Sequence, residues 1–254
     1  MHDKILGFYE PLADHYHLIF EDWDRAIQRQ ATVLSRLLDV HLQKHPLKVL
    51  DCACGIGTQA LGLASLGHHV VASDLSPAEV DRARREAAQR HLDLSFHVSD
   101  MTSLQEIPAR DFDLVVALDN ALPHLSASQL VQAITAIGSK LRPGGQFLAS
   151  IRDYDTLVLE KPAMQQPAFF GESPDRRIVH QVWDWVDESN YTLHLYLTQE
   201  SNQQWKTHHF VSEYRALPRE ELSTVLQSAG FEDIRWLMPE ESGFYQPLVL
   251  ARRP

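Results

Sequence analysis

Residues 47–60 constrain this chain more than any other stretch. A mostly apolar run through Val49 and Leu50 stops at Asp51, passes Cys52, Ala53, Cys54, Gly55, Ile56 and Gly57, and opens into a helical pattern over 58–66. A short apolar run bounded by turn residues reads as a buried parallel strand. Gly55 and Gly57 remove side chains where the backbone must turn tightly and approach a ligand, and the following helix begins with unpaired N–H groups. The segment predicts the first strand–loop–helix of a nucleotide- or nucleoside-binding α/β domain. The spacing Gly55-x-Gly57-x-x-Ala60 also satisfies the dinucleotide fingerprint, so a nicotinamide-dependent oxidoreductase stays open. Asp51 tilts the choice, because a carboxylate ending the strand repels a pyrophosphate and favours an ammonium group.

S-adenosylmethionine has an amino-acid tail and no phosphate. The string Asp51-x-Ala53-Cys54-Gly55-x-Gly57-Thr58 resembles motif I of class I methyltransferases, which use that cofactor.

Downstream the chain alternates strand and helix. Strands are expected at 48–51, 69–74, 94–98, 113–118 and 146–151, with helices near 58–66, 77–90 and 128–141. Arg142-Pro143-Gly144-Gly145 signals a turn before the fifth strand. Such alternation implies a parallel sheet with helices on both faces and ligands beyond the carboxyl ends of the strands. After residue 155 the rhythm breaks. Segments 177–186, 191–199 and 205–214 are rich in β-branched and aromatic residues and read as antiparallel strands. A helix at 219–229 and strands at 233–238 and 243–251 close the chain, the last one antiparallel because no crossover helix fits between them. A reversed final strand is typical of the class I methyltransferase sheet. The expected fold is therefore α/β and Rossmann-like, mostly parallel with a reversed last strand, helices on both faces and an antiparallel cap insertion. Four parts follow: an aromatic N-terminal segment and helix over the site (1–45), a cofactor-binding core (46–155), a substrate cap (156–217), and a helix with the final core strands (218–254).

Composition narrows the partners. A chain of 254 residues, 44% hydrophobic, can bury a core of this size, and its formal charge of −11 disfavours nucleic acid. No apolar run is long enough to span a bilayer and Met1-His2-Asp3-Lys4 does not open a signal peptide, so a cytoplasmic location away from membranes is expected. Cys52 and Cys54 read as reduced packing residues. His41 and His45, at helical spacing but without a nearby carboxylate, read as surface groups, and no metal site is expected.

Asp74, ending the second strand, can accept two hydrogen bonds from ribose hydroxyls; Ser76 is better placed to cap the next helix. The family resemblance assigns Asp100 to the adenine amino group and Met101 to the adenine face. It groups Ala53, Leu75 and Leu118 with them along the cofactor.

The run Tyr16-His17-Leu18-Ile19-Phe20-Glu21-Asp22-Trp23, with Arg29 after it, resembles glycine and glycine–sarcosine N-methyltransferases. So do Asn120-Ala121-Leu122-Pro123-His124-Leu125 and Pro143-Gly144-Gly145 leading to Arg152-Asp153-Tyr154-Asp155. The resemblance implies that Arg152 holds the substrate carboxylate, that Asn120 assists, and that Arg29 pairs with the cofactor's carboxylate. Arginine suits the task because its planar fork grips a carboxylate with two parallel hydrogen bonds. The bland alternatives are an ion pair of Arg152 with Asp153 or Asp155, a solvated Arg29, and a turn-ordering Asn120.

Methyl transfer from a sulfonium needs alignment and exclusion of water more than acid–base groups. Tyr16, Tyr196 and Tyr214 are the candidates to line such a pocket, and His124 is a weaker candidate to take a proton from an ammonium. The aromatic cap with Arg176 and Arg177 leaves room for an acceptor larger than glycine. The expected function is S-adenosylmethionine-dependent methylation of a small molecule, most simply an amine or amino acid. A small-molecule O-methyltransferase and a non-catalytic cofactor-binding protein are the alternatives, and a homo-oligomer is left open.

Overall fold

A computed structural model describes residues 2–254. The motif strand, β1 (Lys48–Asp51), lies near the middle of a seven-stranded sheet. Parallel to it run β2 (His69–Asp74), β3 (Ser95–Val98), β4 (Phe112–Ala117) and β5 (Leu141–Ser150). The order is β3-β2-β1-β4-β5-β11-β10. The last strand, β11 (Leu248–Arg252), inserts between β5 and β10 (Glu232–Leu237) and runs antiparallel to both, as the lack of a crossover helix required.

Side-chain alternation decides which helices cover which face. Val49, Val70, Leu114, Val116, Leu148 and Leu250 point to one side, against α2 (Trp23–His41) and α3 (Thr58–Ser65). On that side α4 (Pro77–Gln89) joins them through Ala87, packed with Ile27, Ile56 and Leu61. Leu50, Val115, Ala117, Phe147 and Val249 point the other way, against α5 (Ala127–Lys140) and α7 (Arg219–Ser228). Local signals set these helices. Ser76 caps α4 by accepting from the Glu79 N–H, with Pro77 opening the helix, and Ser126 and Gln129 form a reciprocal cap on α5.

The second sheet, β6-β7-β8-β9, is antiparallel and comprises β6 (Ala168–Phe170), β7 (Arg177–Trp185), β8 (Asn190–Ser201) and β9 (Gln204–Arg215). Its inner face carries Trp183, Tyr191, Leu193, Leu195, Phe210 and Tyr214 into the same core as α5 and α7. Three helices went unseen in the sequence: α1 (His2–Leu12), which packs on β9 and α4, the short α6 (Tyr154–Glu160) just beyond β5, and one between β10 and β11. A four-residue helix, α8 (Pro239–Ser242), separates β10 from the loop into β11. Among the described residues no helix is long and apolar enough to cross a membrane.

Two expectations fail. The final strand begins at Leu248 rather than at 243, because Gly243 ends α8 in the left-handed region and 244–247 are not extended. The turn over 142–145 is part of a continuous β5, where the register with β4 jumps from Phe112↔Leu141 to Leu114↔Gln146. Pro and Gly mark a bulge here as well as they mark a turn. A Cβ on Gly145 would lie 2.9 Å from the carbonyl oxygens of both Arg142 and Phe112. Gly145→Ala is thus expected to lower the unfolding free energy by about 1–3 kcal/mol, read by urea titration. Unchanged stability would mean that the bulge yields freely.

Candidate functional site

Two cavities open beyond the carboxyl ends of the parallel strands. The first is a narrow cleft whose lining includes Ala53, Gly55, Asp74, Leu75, Asp100, Met101 and Leu118. All seven were expected to meet a cofactor, and the fold brings them together because each ends or follows one of β1–β4. Asp74 accepts from the Gly55 N–H at 2.9 Å and the Ser76 N–H at 3.0 Å, with the Leu75 N–H also directed at it. Asp100 accepts from the Thr102 N–H at 2.8 Å. Gly55 has φ +51°, and a Cβ there would sit 3.4 Å from the Tyr16 ring and 3.6 Å from the Glu79 carboxylate. The cradle therefore admits a ligand only over bare backbone.

Asp51 and Gly57 shape this cleft without lining it. Gly57, at φ +98°, caps α3 and lies against Leu61 and Ala83. Asp51 is 1% exposed beneath the loop. Its Oδ1 accepts from the Ala53 N–H at 3.3 Å, and its Oδ2 has no partner. Burial pushes its carboxyl up to about 8, against the opposing Ala53 hydrogen bond. Glu79, 1% exposed on α4, is also pushed well up, by burial and then by Asp74 and Glu10.

The second cavity encloses about 860 Å³ between the core, the cap and the N-terminal segment. Arg152, following β5, is its part-buried cation. The guanidinium donates to the Tyr191 hydroxyl at 2.8 Å and to Gln181 Oε1 at 3.3 Å. It also lies 4.8 Å from the Trp183 ring and 5.3 Å from the Tyr214 ring. Neither neighbouring acid reaches it, because Asp153 and Asp155 both bind Arg219, at 2.6 and 3.0 Å. Among the described residues no carboxylate pairs with Arg152. Burial works against its charge, but Tyr191, Tyr154 and Tyr214 outweigh that and raise the guanidinium further, so the arginine stays charged.

Asn120 lines this cavity, yet both ends of its amide are engaged. Its Oδ1 accepts from the Arg152 N–H at 3.0 Å, and its Nδ2 donates to the Tyr154 hydroxyl at 3.0 Å, which contacts the Tyr191 hydroxyl at 2.9 Å. Asn120 therefore positions the arginine. Tyr16 and Tyr214 line the cavity, and exposed Arg29 stands at its rim. Tyr196 does not belong here. Strand alternation turns it to the outer face of the cap sheet, stacked between His180 and His209 at 4.8 and 4.4 Å. Arg176 and Arg177 are also spoken for: the first pairs with Glu200, and the second donates to the carbonyls of Leu18, Phe20 and Glu21. His124 hydrogen-bonds the Tyr9 hydroxyl at 2.8 Å, and burial followed by Arg152 pushes it down to about 3, so it is a poor base at neutral pH.

Sequence reading missed Tyr9, Gln30 and Gln59, and it noted Asp119 only with Leu118 and Asn120 at the end of the fourth strand, on the path that the resemblance implies between adenosine and acceptor. Gln59 Nε2 bridges Gln30 Oε1 and Asp119 Oδ2, each at 2.7 Å. Asp119 Oδ1 accepts from the Tyr245 hydroxyl. Asp119 and Asn120 follow β4 with φ of +56° and +66°, which Asp and Asn tolerate better than other side chains.

Raising a carboxyl above its unfolded value contributes stability at low pH that is lost as pH rises. For Asp51 the loss spans from about 3.8 to about 8. Asp51→Asn, neutral throughout, is expected to gain on the parent across that window, by at most roughly 6 kcal/mol. Urea unfolding of the ligand-free protein at pH 5, 7 and 9 measures it; a difference that does not grow with pH contradicts the assignment.

Comparison with known proteins places these features in context. Residues 49–145 match the family model described as a methyltransferase domain. Rat glycine N-methyltransferase is 31% identical over 142 residues, 51% of this chain and 48% of that protein. The ubiquinone biosynthesis O-methyltransferase of Methylocella silvestris is 33% identical over 104 residues, 41% of this chain and 39% of that protein. The chain thus spans less than half the length of these curated relatives. The structure of S-adenosylmethionine-bound CalS10, an amino pentose methyltransferase from Micromonospora echinaspora, superposes with a TM-score of 0.72 at 18% identity, covering 90% of this chain and 92% of that one. At that identity the likeness speaks to the fold alone.

Proposed function

We propose that this chain is a class I S-adenosylmethionine-dependent methyltransferase that methylates a small amine carrying a carboxylate. The observation that carries the acceptor reading is Arg152, a part-buried guanidinium in the larger cavity with neutral partners and no carboxylate of its own. A desolvated cation without a counter-ion is costly, and an acceptor carboxylate would supply one. Tyr191, Gln181 and the Asn120 amide fix the fork's orientation, so a planar anion would meet it in one pose.

The donor set fits the cofactor. Asp74 would hold the ribose, Asp100 the adenine edge, and Leu75, Met101 and Leu118 the ring faces, while Arg29 at the rim would meet the carboxylate of its tail. When bound, S-adenosylmethionine supplies a methyl group already activated by its sulfonium. What remains for the protein is to bind, align and exclude water, and the ring of Tyr9, Tyr16 and Tyr214 supports that. A cavity of about 860 Å³ is far more than glycine fills, which favours a larger acceptor of the same chemistry.

Calorimetry should show binding of S-adenosylhomocysteine and none of NADH, and Asp74→Ala should weaken the former by at least about tenfold. Equal affinity in a folded variant removes the ribose role. For the acceptor, steady-state kinetics with glycine, sarcosine and bulkier amino acids are compared with carboxylate-free amines and phenols. Arg152→Lys keeps the charge without the fork and should raise the acceptor KM more than it disturbs cofactor binding. Efficient turnover of carboxylate-free acceptors, or a normal KM in Arg152→Ala, would leave the arginine structural and favour a broader N- or O-methyltransferase.

A further inference from the structure

Methyl transfer can take place only where the two cavities meet. Among the described residues, three line both of them: Tyr9, Tyr16 and Asp119. Only Asp119 carries a carboxylate. It is held there by the sharp left-handed turn after β4, by its backbone N–H donating to Ser150 Oγ at 2.8 Å, and by the hydrogen bonds from Gln59 and Tyr245. Neither of those two partners is a cation, and no ion pair of the described residues includes Asp119. Across the same cavity stands Arg152.

We infer that Asp119 receives the cationic nitrogen of the acceptor and takes the proton that this nitrogen must shed. The inference rests on the small-amine reading above and names the group that engages the amine end. A zwitterionic acceptor then finds one charge for each of its own: a guanidinium for the carboxylate and a carboxylate for the ammonium. In the proton step an ammonium N–H bond breaks, its electron pair stays on nitrogen as the new lone pair, and the proton bonds to a carboxylate oxygen of Asp119. The nitrogen–carbon bond formed next is matched by the carbon–sulfur bond that breaks, whose pair remains on sulfur. The proton on Asp119 passes to water as the product leaves.

The surroundings suit a proton acceptor. Burial raises the Asp119 carboxyl, and the Tyr245 and Gln59 hydrogen bonds hold that rise in check. That narrows the gap between a carboxylate and an alkyl ammonium, whose ordinary value is roughly 10. His124, which also lines the cofactor cleft, is pushed in the opposite direction.

The test uses the full chain with Asp119→Asn, an isostere that also tolerates the left-handed backbone. S-adenosylhomocysteine binding by the variant should fall far less than acceptor binding does. In the presence of saturating S-adenosylhomocysteine, calorimetric binding of glycine and sarcosine should weaken by at least tenfold, and kcat/KM for amines should fall at least a hundredfold. Asp119→Glu should recover part of the amine binding. Weakened S-adenosylhomocysteine binding with normal acceptor binding would overturn the inference and assign Asp119 to the cofactor's own ammonium. Amine turnover by the parent that is undiminished in Asp119→Asn also overturns it, while leaving the small-amine reading intact. If the parent neither binds nor turns over any amine but methylates a phenol, both readings fall together.

Discussion

The contact on which the rest of the site depends is the guanidinium of Arg152 laid between core and cap. Its backbone N–H is tied to Asn120 beyond β4, so two adjacent parallel strands fix where the side chain starts. Its far end is fixed by the cap, through Tyr191, Gln181 and the ring of Trp183. Tyr191 itself is stacked between Trp183 and Tyr214 at 4.8 and 5.5 Å, nearly parallel to both. A charge placed this way is expensive to desolvate, and aromatic faces and hydroxyls return only part of that cost. The arrangement makes sense as half of an ion pair whose other half arrives with the substrate.

The N-terminal segment closes the remaining side, and several distinct contacts hold it. Glu10 on α1 accepts from Ser76, the cap of α4, at 2.7 Å. Arg177 of β7 donates to three carbonyls between Leu18 and Glu21. Lys4 pairs with Glu213 of β9, an exposed contact that contributes little to stability. The segment therefore bridges the second βα unit to the cap, and Tyr9 and Tyr16 within it line both cavities. Loss of the Arg177 clamp would loosen that wall without touching the sheet.

How much of this was legible in the sequence depends on distance along the chain. The cofactor cleft was readable because its residues sit at strand ends, each announced by its own apolar run: Asp74 and Leu75 after β2, Asp100 and Met101 after β3, Leu118 after β4. The reversed β11 followed from loop length alone. Arg152 was found through a resemblance, and the structure supplied what the sequence lacked, namely that Asp153 and Asp155 are spent on Arg219 from a distant helix. Tyr196 was misplaced although a signal existed. Tyr191, Leu193, Leu195 and Leu197 alternate with polar neighbours, which puts the even-numbered Tyr196 on the outer face. Gln30, Gln59 and Asp119 form one chain of hydrogen bonds drawn from α2, α3 and the loop after β4, and no local pattern could join them.

The two cavities divide the chemistry along the same line. Recognition in the first is built mainly from backbone and short side chains at the ends of parallel strands, where rigid geometry leaves little freedom. Recognition in the second draws side chains from the core, the cap and the N-terminal segment, so its shape can change without disturbing the first. Asp119 belongs to both, because it follows β4 at a positive φ and lines each cavity. A residue at such a joint cannot be altered for acceptor recognition without facing the cofactor as well. Tyr196, on the outer face of the cap, carries no such double constraint. Specificity for different acceptors is therefore expected to reside in the cap-facing residues around Arg152, with the joint itself setting which kind of nucleophile can be brought to the methyl group.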